Sequence, residues 1–347
     1  MRIERFSTSV GIEELNKSVS DLSGADFVHI RHHFDDCPNL NLISISRSKP
    51  EYRETLRHLT DQGYHLYKRD GATSSFVSFP RIKGLWTEVD SGKILFDENE
   101  IAHTFLNAQV RQKANLLVVF SSIATHAHQS SLKRHFEHNY SNIQKYVPSN
   151  THILRIADLG GVNGGWYTDT NFLERNFVNI QSLIKRTCSA LDIASENAVL
   201  LGVSKGATAA LLHGMLLNSH VVSVDPIVSD HLYADVHDDL HFTVGNFPYT
   251  KDEIFASFSS SQLPLRPGRI SIVYSDRSPQ YRYINHALVP WTKEAISYVN
   301  VSNPEIKDHP DVGPKSISTT IMLVNMKLHR LLSPPTRMDM PFGASGS

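Results

Sequence analysis

The chain predicts an α/β fold, a mostly parallel sheet flanked by helices, with an N-terminal α/β extension and a lid insertion. Three observations predict it. From Ala114 onward, short apolar runs alternate with helix-length segments, the pattern that right-handed crossovers impose on a parallel sheet. One run, Val199-Leu200-Leu201, enters Gly202-Val203-Ser204-Lys205-Gly206, and a small-residue helical pattern leaves it. Between Asp225 and Gly268 the alternation lapses into Asp, His and aromatic residues, as an insertion at the carboxyl ends of strands would.

Residues 1–75 form the extension. Apolar runs at 27–30 and 42–45 predict strands. A helix is expected between Pro50 and Gly63, with Ser48 as N-cap and Gly63 as its stop, then a strand at 64–67. The main domain spans 76–332. Runs at 85–89 and 93–96 flank Asp90-Ser91-Gly92 and predict a hairpin at the antiparallel edge of the main sheet. Strands follow at 116–120, 153–156, 199–201, 221–224, 270–274 and 296–299. Helices are expected at about 129–145, 170–192, 205–218 and 315–332. The lid occupies about 226–268, and residues 333–347, rich in Pro, Gly and Ser, read as a flexible tail.

Composition excludes several partners. With 34 Lys and Arg against 35 Asp and Glu in 347 residues, no net field recruits nucleic acid or an anionic membrane. No apolar run approaches the roughly 20 residues of a membrane span, and the first ten residues lack a secretory apolar core, so a cytoplasmic location is expected. Cys37 and Cys188, far apart and without metal spacing, read as free thiols and poor nucleophiles.

The chemistry concentrates at Ser204. A serine hydroxyl is a weak nucleophile, and it becomes useful when a sharp strand-to-helix turn lifts it to where a base can reach it. Gly202 and Gly206 permit such a turn. The competing reading is a glycine-bracketed turn in which Ser204 merely caps the helix. In the order Ser, acid, His, the run 270–274 is followed by Asp276, and the run 296–299 leads to His309. His309 would take the Ser204 proton, with Asp276 orienting it. Asp225 also ends a strand, one strand earlier, and Asp276 is open to reading as a turn residue. Oxyanion donors are expected from the Lys205 amide and from Ser121 or Ser122.

Other features carry less. The side chain of Lys205 as the base of a Ser-Lys pair is disfavoured, because neighbouring side chains at an elbow diverge. His286 reads as a packing or surface residue, and Asp308 as a local turn acid. The histidines at 32, 33, 126, 128, 231, 237 and 241 match no strong zinc spacing, and Gly160-Gly161-Val162-Asn163-Gly164-Gly165 lacks a phosphate-loop ending. It reads as a mobile loop at the site rim. No cofactor and no metal are expected.

The order of elements, with Gly202-Val203-Ser204-Lys205-Gly206, Asp276 and His309, resembles the α/β-hydrolase superfamily over about residues 75–332. Within it, the stretch Leu201 to Leu211, together with the run 153–156 entering Ala157-Asp158, resembles the XcbB/CpsF group of capsular-polysaccharide biosynthesis proteins. The first resemblance implies acyl or ester chemistry through Ser204 on a small-molecule or glycan ester. The second implies a cytoplasmic protein of surface-glycan biosynthesis, with O-acyl transfer as one activity, and an O-acyltransferase of secondary-metabolite biosynthesis using the same triad is an alternative. A scaffold retaining the fold without activity is the remaining reading.

Overall fold

The computed structural model describes residues 1–22, 24–110, 113–260, 265–292 and 295–331; the tail expected at 333–347 lies outside them. The first unit holds β1 (Ile3–Ser7), α1 (Ile12–Val19), β2 (Phe27–Arg31), α2 (Leu42–Ser48), α3 (Arg53–Asp61), β3 (Tyr64–Asp70) and β4 (Thr73–Ser78). Its sheet has the order β1-β2-β4-β3, with only the β1–β2 pair parallel.

Two expectations fail here. The run 42–45 is helical, because the Asn41 side chain caps it by accepting from the Ser44 amide, and Leu42, Ile43, Ile45 and Ser46 bury themselves together. Four apolar-rich residues cannot by themselves choose between strand and helix. Ser48 then ends that helix rather than capping the next. A 3-10 turn at Pro50–Tyr52 intervenes before α3.

After α4 (Thr87–Asp90) comes the second sheet, of eight strands: β5 (Leu95–Phe96), β6 (Ala102–Leu106), β7 (Asn115–Phe120), β8 (Thr151–Ile156), β9 (Val199–Val203), β10 (His220–Val224), β11 (Ile270–Tyr274) and β12 (Ile296–Asn300). Their spatial order is β12-β11-β10-β9-β7-β8-β6-β5. All neighbours are parallel except at β6, which runs antiparallel to β8 and β5. This is the strand order of an α/β-hydrolase, with the exchanged pair before the elbow strand and the antiparallel second strand. The edge hairpin exists, but it joins β5 to β6. Residues 85–89 turn into α4 instead, and Asp97 closes the loop by accepting from the Asn99 and Ile101 amides.

Alternate strand residues face opposite layers. Leu116, Val118, Phe120, Leu200 and Ile272 pack with α5 (Asn176–Ala190), α6 (Lys205–Leu217) and α8 (Gln280–Thr292). Leu117, Val119, Leu201, Val222 and Val273 pack against α9 (His309–Lys315), α10 (Ile317–Leu328) and Ile143. The helix expected at 129–145 is two 3-10 turns, Leu132–His135 and Ile143–Lys145. Leu132, Arg134, His135 and Phe136 are all buried, which one face of a helix does not allow. Arg134 reaches the Leu66 and Val162 carbonyls, and burial lowers its pKa to about 9.

The insertion after β10 carries a π-helical turn at Leu232–Val236 and α7 (Lys251–Ser260). It is strapped to the first unit. Arg53 pairs in bidentate fashion with Asp238 at 2.6 and 2.9 Å, Asn246 donates to Asp61, and Phe242 packs into the core of the small sheet.

Candidate active site

Ser204 stands where β9 meets α6, with φ 57° and ψ −123°. That conformation costs a non-glycine residue on the order of 1–3 kcal/mol and persists only where neighbours dictate it. They do so here by close approach. A Cβ on Gly202 would collide with the Gly206 carbonyl, and one on Gly206 would meet the Phe120 carbonyl. The Ser204 amide donates to Val224 O at 2.9 Å, tying the turn to β10.

His309 is the first residue of α9. Asp308 caps that helix in a reciprocal box with Asp311, which accounts for Asp308 as a local acid and fixes the imidazole above the elbow. Its Nε2 lies 2.7 Å from Ser204 Oγ, and its Nδ1 lies 2.7 Å from Asp225 Oδ2. With the carboxylate accepting at Nδ1–H, Nε2 is left to accept the serine proton. Asp225 is fully buried at the end of β10 with φ 49°, and its Oδ2 also accepts from Ser278 Oγ at 2.6 Å.

The acid expected at Asp276 is therefore misplaced by one strand. Asp276 is exposed, its amide donating to Asn300 Oδ1, and it is not among the partners of His309. What the loop after β11 supplies to the site is the Ser278 hydroxyl. His286 is exposed on α8. Nothing in sequence flagged Ser278, a lone serine beside a proline.

The residue after the serine does two things. The Lys205 amide sits at the first helical position, where it has no intrahelical acceptor. Its side chain turns the other way, fully buried, with Nζ 2.6 Å from Asp158 Oδ2 and 3.2 Å from Asn163 O. That removes it as a base for Ser204. Asp158 also accepts from the Gly165, Trp166 and Tyr167 amides, and a Cβ at Gly164 would strike both Asp158 and Lys205. The glycine-rich loop is thus a buried wrap around an ion pair and not a rim element.

The other expected oxyanion donors are engaged elsewhere. Ser121 N donates to Tyr167 Oη at 2.6 Å, and Ser122 N to Asn139 Oδ1 at 2.7 Å. Ile123, next along this loop, lines the cavity above Ser204, and its amide has no hydrogen-bond acceptor among the described residues. The cavity measures about 1130 Å³. Tyr233 and His241 of the insertion line it too, and burial lowers His241 to a pKa of about 3, so its ring is neutral.

Both cysteines are buried, and burial raises their thiols. Among the described residues there is no grouping of His, Cys, Asp and Glu suited to a metal, and no helix long and apolar enough to cross a membrane.

No protein-family model and no curated protein sequence matches the chain. Solved structures align with it at low identity. A Glycosylation Associate Protein complex from Streptococcus agalactiae aligns over 76% of this chain and 52% of its own, at 14% identity and TM-score 0.49. The chain thus spans about half of that protein. A hyperthermophilic esterase from Pyrobaculum calidifontis aligns over 85% and 95% at 8% identity and TM-score 0.48. The fluorophosphonate-binding serine hydrolase FphF of Staphylococcus aureus aligns over 67% and 96% at 11% and 0.46. The fold is that of an α/β-hydrolase on its own strand order.

Proposed function

We propose that the protein is a serine-dependent acyl hydrolase or acyltransferase whose nucleophile, base and acid are Ser204, His309 and Asp225. The observation that carries this reading is the unbroken hydrogen-bonded chain from Ser204 Oγ through the His309 ring to Asp225 Oδ2, with both contacts at 2.7 Å. A chain of this kind, on a strained elbow at a helix N-terminus, has an immediate chemical use.

Ser204 Oγ attacks the ester carbonyl as its proton passes to His309 Nε2. The Oγ–C bond forms, the ester C–O bond breaks, and the leaving alkoxide takes that proton. Water, or an acceptor hydroxyl in a transfer reaction, then gives its proton to Nε2 and attacks the acyl-serine, releasing the acid or new ester and restoring Ser204. Asp225 holds His309 in the tautomer that accepts at Nε2 and stabilises the imidazolium. The Lys205 amide faces the developing oxyanion from the helix N-terminus, and we assign the second donor to the Ile123 amide.

The test is covalent labelling of the intact protein by a fluorophosphonate. The wild type is expected to gain one adduct on the peptide containing Ser204, and Ser204→Ala none. Labelling that persists in Ser204→Ala, or a wild type that never labels, would overturn the reading.

A further inference from the structure

The cavity over Ser204 is built for more than the reacting atoms. At about 1130 Å³ it slightly exceeds the roughly 300–1,000 Å³ typical of small-molecule pockets, far beyond what an acetyl group fills. From Ser204 and His309 its lining continues along residues 138–146 on one chain segment and along α9 and α10 on another, with Ile143, Tyr146, Pro314, Ile317 and Ile321 among them. Among the described residues, no Asp, Glu, Lys or Arg belongs to this lining. Tyr146 and Ile317 are 58% and 46% exposed, so apolar surface stands open to solvent at the groove.

The two segments are held in place. Arg155 donates to the Asn139 and Tyr140 carbonyls at 2.5 and 2.7 Å, and Asn325 Nδ2 on α10 donates to Tyr146 O at 2.8 Å. A groove fixed in this way offers its apolar face without first having to order it.

We propose that this groove binds the acyl half of the substrate, and that the acyl group is an uncharged aliphatic chain of medium length. The chain lies between residues 140–146 and α10 with its carbonyl at Ser204. An acyl group bearing a carboxylate or phosphate would be desolvated there with no Lys or Arg of the described lining to receive it. An acetyl group would leave Tyr146, Ile317 and Ile321 facing water in the complex. The inference rests on the reading of Ser204 as the nucleophile.

The experiment is a chain-length series on the full chain with p-nitrophenyl acetate, butyrate, octanoate and decanoate below their aggregation concentrations. Because each fully buried methylene favours binding by about fourfold, kcat/KM should rise at least about tenfold from acetate to octanoate. Ile321→Trp should then lower the octanoate-to-acetate ratio about fivefold or more. Ile317→Asp, at an exposed helical position that tolerates substitution, should lower it as well and serves if Ile321→Trp does not fold. A flat or falling series in a protein that still takes the fluorophosphonate, or a ratio unmoved by both variants, would overturn the acyl groove and leave Ser204 in its role. A protein that neither labels nor turns over any ester would overturn both.

Discussion

Asp158 and Asp225 both leave the carboxyl end of a parallel strand, both are buried, and they do opposite work. Asp158 follows β8 by two residues and is saturated. Three backbone amides and the Lys205 ammonium use both of its oxygens. Asp225 ends β10 with two donors on Oδ2, and its Oδ1 has no hydrogen-bond partner among the described residues. A carboxylate whose every lone pair is claimed by fixed donors holds a backbone in place. One that leans on a single titratable ring, with capacity unspent, is suited to respond when that ring gains a proton. Asp276, at the end of β11, illustrates a third case: a strand-end carboxylate left in solvent.

The comparison can be broken most forcefully at Asp158. Lys205→Met would leave its carboxylate buried without its cation, and breaking a buried pair from one side costs about 3–5 kcal/mol. Denaturant unfolding of the variant should show a loss of that size. A loss below about 1 kcal/mol would mean that the three amides alone satisfy Asp158.

Acid should destabilise the fold through its buried rings. Burial holds His65 at a pKa of about 3 and His213 at about 4, against 6.5 for the free ring. Both are neutral in the fold, while the unfolded chain takes up protons below pH 6.5. Their contribution is therefore complete above that value and is lost as pH falls towards 4, at up to about 1.4 kcal/mol per pH unit for each ring. Unfolding free energies measured between pH 7.5 and 5 should fall on acidification. A flat profile would show that these rings gain protons in the fold as readily as in solution.

Ser278 sharpens the difference on a smaller scale. Removing its hydroxyl takes one of two donors from Asp225, and Ser278→Ala should lower kcat/KM by about tenfold, as loss of a hydrogen bond to a charged group does. Ser278→Thr should retain most of the activity. Asp276→Asn should change kcat/KM by less than about twofold, since an exposed carboxylate there touches nothing in the site.

These contrasts mark what was legible in the chain. The elbow was readable because its requirement is local: two glycines at fixed spacing between an apolar run and a small-residue helix. The strand alternation was readable for the same reason, and so was His309, the first histidine after the last strand. Which carboxylate meets it was not, because Asp225 and Asp276 follow equally apolar strands and differ only in where the chain turns afterwards. The Ser121 and Ser122 amides looked free because their acceptors, Tyr167 and Asn139, stand 46 and 17 residues away in sequence. The Gly160–Gly165 stretch looked mobile for want of side chains, whereas the absence of side chains is what lets it close over Asp158 and Lys205. The groove was invisible in sequence, since its two linings are separated by some 170 residues of chain.

The central claim is that Asp225 orients His309 for Ser204, and Asp225→Asn tests it most directly. The amide fills the same space, but it presents a donor to Nδ1 or forces the ring into the other tautomer. With an ester the wild type turns over, kcat should fall on the order of a thousandfold or more, with the unfolding midpoint close to that of the wild type. A variant within about tenfold of the wild type, and equally well folded, would contradict the account.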